Sequence, residues 1–468
     1  LLTATSTSVA FAENTSLEQI IVSASHSTQD IKSVTSTVHI IDALEIEEKG
    51  YLSLADALQT IPGLQIVSTG GFGKTTSLYT RGQKTNATLI LIDGVEMTDP
   101  TGTGGSRLGF IALDNVERIE VLLGAQSGIW GGNASAGVIN IITKTASKQG
   151  EFGQFSIENG SNNTTRFSST FGAKTEKADF SINISQLQSD GFSTVRAADK
   201  TAYEHENDPF SESSIGFKFG VNTATNQRVE VSHQQTDARA EYDGVSDPEA
   251  NYSTEYTNTI RKIRYIYNPK NLNVSIFALD NHIKQYRESI SHELGIKGDY
   301  TYADNQNLSF LAKNRNINLA TSTNNSDDTS IGFTNLNRLQ SGSLFITESI
   351  RQDNYSNFKN KLTGKLGIKK LFSNNGFISL NAGTAYNAPT ISQSSYKNTV
   401  NLQPEETEAY DINLGWNGFQ ATAYKTYTKN YIEFDYVGYD YYYNLKGKST
   451  FEGFDFIYKS DYYVIDSI

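Results

Sequence analysis

From residue 148 onward, the chain is a series of segments in which apolar and polar side chains alternate one by one. A β-strand points successive side chains to opposite faces, so each of these segments is predicted to be a strand with one apolar face and one polar face. The pattern is found at Phe180–Ile184, Ile215–Val221, Leu272–Ala278, Leu362–Ile368 and Tyr410–Trp416.

Two kinds of connection separate these strands. Asn268–Lys270 and Ser373–Gly376 are short turns, whereas residues 190–212, 236–259 and 313–329 are long and polar. Tight turns at one end and long loops at the other are typical of transmembrane β-barrels. A soluble β-sandwich also alternates, but its loops tend to be shorter and more uniform, and it is the alternative. Residues 148–468 are therefore predicted to form an all-β, antiparallel transmembrane barrel.

Composition supports this prediction and excludes other classes. The 26 Tyr and 24 Phe suit strands and the aromatic girdles at membrane interfaces. No apolar run reaches the roughly eighteen residues that a membrane-spanning helix needs. The absence of cysteine excludes disulfides, Cys-based zinc sites and thiolate catalysis. A net charge of −12 argues against a nucleic-acid partner.

The first 147 residues have a different character. Residues 1–12 are small and apolar and end like a secretory signal peptide, after which 13–25 form a leading segment. Residues 26–147 are predicted to be a compact α+β unit. A helix is expected over Ser53–Ile61, capped by Ser53 and ended by Pro62. Strands are expected at Thr37–Ile41, Leu89–Ile92, Val116–Leu122 and Val138–Ile142.

Six short motifs occur in a fixed order along the first 147 residues. They are Glu18–Ala24, Ala55–Leu58 with Ile61–Leu64, Leu78–Gly82, Leu89–Val95, Val116–Leu122 with Gly124, Gly128 and Gly131, and Ala136–Thr143. The first of them is similar to the TonB box, and together the six resemble the N-terminal part, with its plug domain, of the TonB-dependent receptors. Three segments of the barrel region, at Ala385–Thr390, Leu402–Thr407 and Lys448–Asp455, also resemble that family.

The resemblance implies a plug inside the lumen of a barrel in the outer membrane of a Gram-negative bacterium. Family barrels have about twenty-two strands. At roughly twenty residues per strand and connection, residues 148–468 provide about sixteen, so a barrel incomplete at its C-terminal end is expected. Energised uptake of cobalamin (vitamin B12) is the favoured function. Import of a ferric siderophore or haem is the alternative, and a surface binding module that does not transport is an alternative of another class.

The resemblance also assigns roles to residues. The extended, β-prone N-terminal segment is expected to add as a strand to a TonB-type energy-transducing partner. Its coupling residues are Glu18, Gln19, Ile20, Ile21, Val22, Ser23 and Ala24. Outward plug loops are expected to contact a small-molecule ligand, with ordinary plug turns as the alternative. Their candidate residues are Thr69, Phe72, Lys74, Thr75, Asn86, Thr98, Asp99, Thr101 and Arg107. Structural roles in the plug are expected for Arg81, Gly82, Asp93, Gly94, Glu117, Arg118 and Glu120.

One metal site is a candidate. The resemblance suggests that Glu206, Asp208 and Asp243, in neighbouring long loops, bind calcium, although solvated extracellular charge also explains them. No other cofactor is expected, and the chain is expected to act as a monomer. Residues 70–75 resemble only the end of a phosphate loop, and the six histidines form no metal motif. The sequence therefore does not indicate an enzyme.

Overall fold

Two β-sheets of opposite character organise the chain. The computed structural model describes residues 20–21, 24–25, 29–102, 105–193, 207–243, 251–320, 325–373, 375–396, 399, 401–437 and 441–458. The predicted signal peptide and residues 18–19 and 22–23 of the coupling segment lie outside them. None of the helices in the described part of the chain is long and apolar enough to cross a membrane.

The N-terminal unit, here called the plug, contains short strands and helices. Three 3-10 turns, at Ile31–Ser33, Thr85–Ala87 and Leu108–Phe110, join them. The elements are β1 Ile20–Ile21, β2 Gln29–Asp30, β3 Val38–Asp42, α1 Ala43–Lys49, α2 Leu54–Leu58, β4 Leu64–Ser68, β5 Thr76–Thr80, β6 Thr88–Ile92, β7 Val95–Glu96, β8 Val116–Leu123, α3 Ser127–Trp130 and β9 Gly137–Thr143.

The plug has a conventional apolar core. Its five-stranded sheet runs in the order β3-β8-β9-β6-β7, with β6 and β9 parallel and the other pairs antiparallel. Helix α2 packs its apolar side on this sheet. The fully buried side chains include Leu54, Leu58, Ile90, Ile119 and Ile139. Removing this apolar surface from water is the main stabilising contribution to the plug.

The predicted helix over Ser53–Ile61 is partly correct. Ser53 caps α2 and forms a reciprocal capping box with Asp56, whose backbone N–H donates to Ser53 Oγ at 3.2 Å. The helix ends at Leu58 and not at Ile61, because Pro62 disfavours helical backbone in the residue before it. The last residues tighten into i→i−3 bonds instead, including Ile61 N–H to Leu58 O at 3.1 Å.

The second sheet, here called the wall, has sixteen antiparallel strands in sequence order. Its strands are β10 Gly150–Asn159, β11 Thr165–Lys174, β12 Ala178–Ser189, β13 Phe210–Ala224, β14 Gln227–Asp243, β15 Asn251–Tyr267, β16 Leu272–Lys284, β17 Glu288–Ala303, β18 Gln306–Leu319, β19 Ser326–Leu339, β20 Leu344–Tyr355, β21 Lys361–Leu371, β22 Phe377–Asn387, β23 Glu405–Trp416, β24 Phe419–Lys429 and β27 Lys448–Tyr458. Helix α4 Ile391–Ser395, the hairpin β25 Ile432–Phe434 and β26 Tyr442–Asn444, and a 3-10 turn at Gln340–Gly342 lie in its connections.

The wall turns its apolar face outward and its polar face toward the plug. In β12, Ile182 and Ile184 are exposed whereas Ser181, Asn183 and Ser185 are buried. This arrangement is expected of a sheet with lipid outside and a polar filling inside. The predicted fold, an antiparallel barrel sheet of about sixteen strands around an α+β plug, is confirmed. Within the described residues, β10 and β27 each pair on one side only.

The wall has two different ends. At the short-turn end, strands are joined by connections such as 225–226, 304–305 and 417–418, and at the long-connection end by 190–209, 388–404 and 430–447. Two predicted long loops were wrong in extent, because most of residues 236–259 and 313–329 continue strands β14, β15, β18 and β19. Those strand ends are polar on both faces, so the sequence carries no alternation signal there.

Candidate functional site

Two plug loops form the surface of the plug at the long-connection end. The first, residues 69–75, is the tip of the β4–β5 hairpin. The second, residues 98–102 and 105–107, contacts the wall connection that holds α4, where Ser392 N–H donates to Pro100 O at 3.4 Å. These two loops, here called the apex loops, contain eight of the nine predicted ligand-contact residues. The ninth, Asn86, lies beneath the second loop, against Gly105.

The first apex loop is anchored to the wall by Lys74. Its Nζ lies 3.0 Å from Asp208 Oδ2, with both side chains almost fully buried, and it also donates to the backbone oxygen of Glu241. Phe72 packs on Phe210 with ring centroids 5.6 Å apart. The structure therefore places Lys74 in a structural ion pair. Thr69 and Thr75 remain exposed at the tip of the loop.

Asp99 organises the second apex loop. The buried Asp99 carboxylate accepts hydrogen bonds from Thr101 N–H at 2.8 Å and Thr101 Oγ1 at 2.6 Å, and its second oxygen lies 3.3 Å from Arg107 Nη2. Arg107 and Thr101 are only half-buried, as is Thr98. The guanidinium of Arg107 thus keeps part of its surface open above a fixed carboxylate.

Asn86 is the unusual member of the predicted set. Its side chain is 5% exposed, and neither its oxygen nor its nitrogen has a hydrogen-bond partner in the described part of the chain. A buried amide without partners costs about 1–3 kcal/mol. An unpaired donor and acceptor beneath an apex loop are suited to a polar ligand or a water that the loop admits.

The calcium prediction remains untested. Asp208 is engaged by Lys74 at 3.0 Å. Glu206 and the side chain of Asp243 lie outside the described residues. Calcium at this end of the wall therefore stays a prediction.

Arg81 joins the plug to the last described wall strand. Its Nε and Nη2 donate to Asp455 Oδ2 at 3.0 and 2.9 Å, and its guanidinium lies 4.4 Å from the ring centre of Tyr424. Arg81 and Gly82 both adopt positive φ, 49° and 80°, in the tight turn that presents this guanidinium. The predicted structural role of Arg81 is consistent with this position.

Asp93 joins the plug to the middle of the wall. Its carboxylate accepts from Thr143 N–H and Oγ1 at 3.0 and 2.6 Å and pairs with Lys218 at 3.0 Å. Burial alone would raise the pKa of Asp93, but Lys218 and the Thr143 bonds outweigh it and hold that pKa below its usual value. Gly94 follows with a φ of 78°.

Arg118 acts within the plug. It pairs with Glu117 at 2.9 Å and with the buried Glu120 at 2.8 Å, and within the described residues both of its ion pairs lie inside the plug. The Glu117 side chain is partly exposed and that of Glu120 is fully buried, so the Glu120 pair is the better shielded from water. These three side chains order one end of β8.

Lysines of β21 hold the start of the plug at the short-turn end. Lys369 Nζ donates to Val34 O at 3.0 Å, and Lys365 Nζ donates to Gln126 Oε1 at 2.9 Å. On the next strand, Asn381 Nδ2 donates to Thr35 O at 2.8 Å. The sequence identified the two lysines only as members of a polar strand face, and their partners more than 200 positions away had no local signal.

The described residues of the N-terminal coupling segment, Ile20, Ile21 and Ala24, also lie at the short-turn end. Ile20 pairs with Asp30 and Ile21 with Gln29 in a two-residue antiparallel ladder. Ala24 is buried against Val34. The coupling segment and the apex loops are therefore at opposite ends of the plug.

Family models match nearly the whole chain. The TonB-dependent receptor plug domain matches residues 30–138, and the TonB-dependent receptor-like β-barrel matches residues 147–466. Among curated proteins, the vitamin B12 transporter BtuB of Photobacterium profundum is 26% identical over 422 residues, which cover 86% of this chain and 68% of the relative. The BtuB of Vibrio vulnificus strain YJ016 is 36% identical over 132 residues, which cover 28% of this chain and 21% of the relative.

Solved structures share the fold. A ferric enterobactin receptor from Pseudomonas aeruginosa matches with a TM-score of 0.72 at 15% identity, covering 90% of this chain and 78% of that one. The siderophore receptor PiuA from Acinetobacter baumannii matches with a TM-score of 0.68 at 16% identity, covering 92% and 77%. The fold is a plug packed against the polar face of a sheet whose apolar face points outward. Together with both family matches, this fold identifies the chain as a member of the TonB-dependent receptors, which are transporters and not enzymes.

Proposed function

We propose that this receptor takes up cobalamin across the outer membrane, using energy delivered by a TonB-type partner of the inner membrane. The observation that carries the proposal is the placement of the apex loops and the coupling segment at opposite ends of the plug. The long-connection end would face the medium and the short-turn end the periplasm, as in outer-membrane barrels generally. A ligand bound at one end can then be released by a pull applied at the other.

The coupling segment is suited to exchange. Within the described residues, its ladder with residues 29–30 consists of two residue pairs. Each hydrogen bond contributes about 0.5–1.5 kcal/mol, so a partner that offers a longer edge strand can replace this ladder. The two isoleucines favour the extended conformation that such pairing needs.

The choice of cobalamin is supported by the curated relatives. Proteins named vitamin B12 transporters are similar to this chain over 86% of its length. The solved siderophore receptors are 14–18% identical to it, which supports the fold and not the ligand.

Growth under limitation tests the ligand. A strain that lacks its own receptors for these nutrients and expresses the gene of this receptor is expected to grow on limiting cobalamin. Its growth on limiting iron, supplied as ferric siderophore or haem, is expected not to improve. Growth rescued only on iron would transfer the assignment to the siderophore or haem class. Rescue on neither would favour the surface binding module.

Removal of the coupling segment tests the energised step. Deletion of residues 18–24 is expected to abolish uptake of labelled cobalamin while surface binding is retained, because residues 20–21 and 24 lie at the end of the plug opposite the apex loops. Ile20→Val, which keeps β propensity, is the matched control and should transport normally. Full uptake by the deletion variant would contradict coupling through this segment.

A further inference from the structure

A large cavity lies between the plug and the wall in the short-turn half of the molecule. It has a volume of about 900 Å³. One side is plug, including Leu89, Leu91 and Trp130, and the other is the inner face of β13 to β18. Residues of the β11–β12 turn, Thr175 and Glu176, lie at its rim, so the cavity is open toward the short-turn end.

The opposite end of this cavity is closed by an ion-pair network. Glu96 of the plug pairs with Arg315 of β18, which also lies 2.8 Å from Asp328 Oδ2. Asn281 Nδ2 donates to the backbone oxygen of Glu96 at 3.0 Å. These contacts separate the cavity from the long-connection half of the molecule.

Most carboxylates that line the cavity are paired, whereas Glu176 at the rim has no ion pair within the described residues. Asp93 pairs with Lys218 at 3.0 Å, and Glu293 pairs with Lys313 at 3.0 Å. Glu230 pairs with two guanidinium groups, those of Arg228 and Arg264. These lining groups therefore leave little negative charge for further cations.

Three lining lysines have no carboxylate partner in the described part of the chain: Lys262 and Lys297, and Lys174 at the rim, whose Nζ donates to the backbone oxygen of Ser147 at 3.1 Å. Lys262 Nζ contacts only the backbone oxygen of Asp93, at 3.3 Å, and the ring of Phe277 at 5.9 Å. Lys297 makes no hydrogen bond or ion pair there. The carboxylate two residues further along its strand, Asp299, accepts from Ser309 at 2.6 Å and does not line the cavity.

We infer that this cavity binds a small oxyanion, a phosphate or carboxylate group, between Lys262 and Lys297. Both lysines point inward from strands β15 and β17, which only β16 separates, and Lys297 lies four residues nearer the short-turn end than the level of Lys262. An anion between them would therefore be reached by the two long side chains from different heights of the wall. Unpaired cations in a cleft with low-dielectric walls concentrate anions, and an ammonium group donates charge-assisted hydrogen bonds to phosphate oxygens. The anion comes either free from solution at the short-turn end or as a group of a transported nutrient, and the second source rests on the proposed function.

Phosphate binding to the purified chain in detergent tests the site. Wild type is expected to bind one inorganic phosphate, measured by calorimetry, and the double variant Lys262→Gln, Lys297→Gln to bind it at least about tenfold more weakly. The double variant Lys270→Gln, Lys284→Gln removes the same charge from exposed positions outside the cavity and should bind as wild type. Lys262→Arg with Lys297→Arg keeps both charges and should retain binding.

Three outcomes decide the inference. Loss of phosphate binding in the glutamine variant alone supports the site, and unchanged binding in that variant, or no binding by wild type, overturns it. Uptake of labelled cobalamin by the same variants separates the two sources of the anion. Reduced uptake indicates that the anion is a group of the nutrient, and unchanged uptake indicates a free anion. Phosphate binding does not require transport, so failure of the cobalamin proposal leaves this test intact.

Discussion

The plug and the wall use the same kinds of residue in opposite ways. In the plug, Ile119 and Ile139 are fully buried and charged groups lie mainly at the surface or in pairs. In the wall, Ile412 and Leu414 are about half exposed on the outer face, while Asp411 and Asn413 are buried on the inner face. The plug therefore buries its apolar side chains in its own core, away from water. The wall instead presents apolar side chains to lipid on its outer face and polar side chains to the plug on its inner face.

The comparison shows where the two regions depend on each other. The inner face of the wall needs partners for its polar groups, and the plug supplies them, as Asn381 and Lys369 show by donating to backbone oxygens of Thr35 and Val34. Without the plug these side chains would have to form their hydrogen bonds with water. The four predictions that follow test this difference between the plug and the wall.

The largest effect is expected at the Arg81–Asp455 pair. Asp455→Ala leaves the buried guanidinium without its carboxylate, and breaking such a pair costs about 3–5 kcal/mol. The loss of stability is measured by thermal unfolding, with the protease sensitivity of the plug as the probe. Glu408→Ala is the control, because Glu408 and Lys448 are both about half exposed and such pairs contribute about 0–1 kcal/mol. Equal losses in the two variants would contradict the assigned role of Arg81.

The same truncation is expected to differ between the two regions. Ile119→Ala removes a fully buried side chain of the plug core and should cost about 2–5 kcal/mol, because a cavity remains. Ile412→Ala on the outer face of the wall opens no cavity, so its cost should be clearly smaller. Hydrogen exchange of β8 and β23 in detergent measures both. A larger loss of protection in β23 would reverse the proposed orientation of the wall.

A charge on the outer face tests that orientation directly. Ile412→Arg is expected to destabilise the wall in lipid vesicles by about 2–4 kcal/mol, if this position lies near the bilayer centre. Glu408→Arg, on the same face but nearer the long-connection end, should cost only about 0–1 kcal/mol. Denaturant titration in vesicles compares the two variants. Similar stability for both would place this surface outside lipid.

The smallest effect concerns pH. Folding lowers the pKa of Asp93, so its pairing stabilises the plug above the usual pKa of 3.8, and this contribution is lost as the pH falls toward the lower folded value. Wild type should therefore lose thermal stability between about pH 5 and pH 3 more steeply than Asp93→Asn. Identical pH profiles would show that the pairing with Lys218 contributes nothing.

Much of the fold could be predicted because its signals are local. Alternation at Phe180–Ile184 predicted both the strand and its two faces, and Ser53 with Pro62 marked the ends of a helix with an error of three residues. The contact between Arg81 and Asp455 could not be predicted from spacing, since the two residues are 374 positions apart. For Lys74, the Gly/Thr-rich loop predicted ligand contact, whereas its position against the wall makes it an anchor. Asn86 differs again, because only its buried, unpaired amide distinguishes it from other turn residues.

The position of β3 has a mechanical consequence. It is an end strand of the plug sheet, and among the described strands it pairs with β8 alone, through Val38–Leu122 to Asp42–Arg118. Tension applied at the N-terminus would first break the contacts of Val34 and Thr35. Of the strands in the five-stranded plug sheet, β3 would then be the first to carry the load. The strand could then peel away one residue pair at a time, while β8, β9 and β6 stay joined. A small force would thus loosen one side of the plug without having to shear the whole sheet at once.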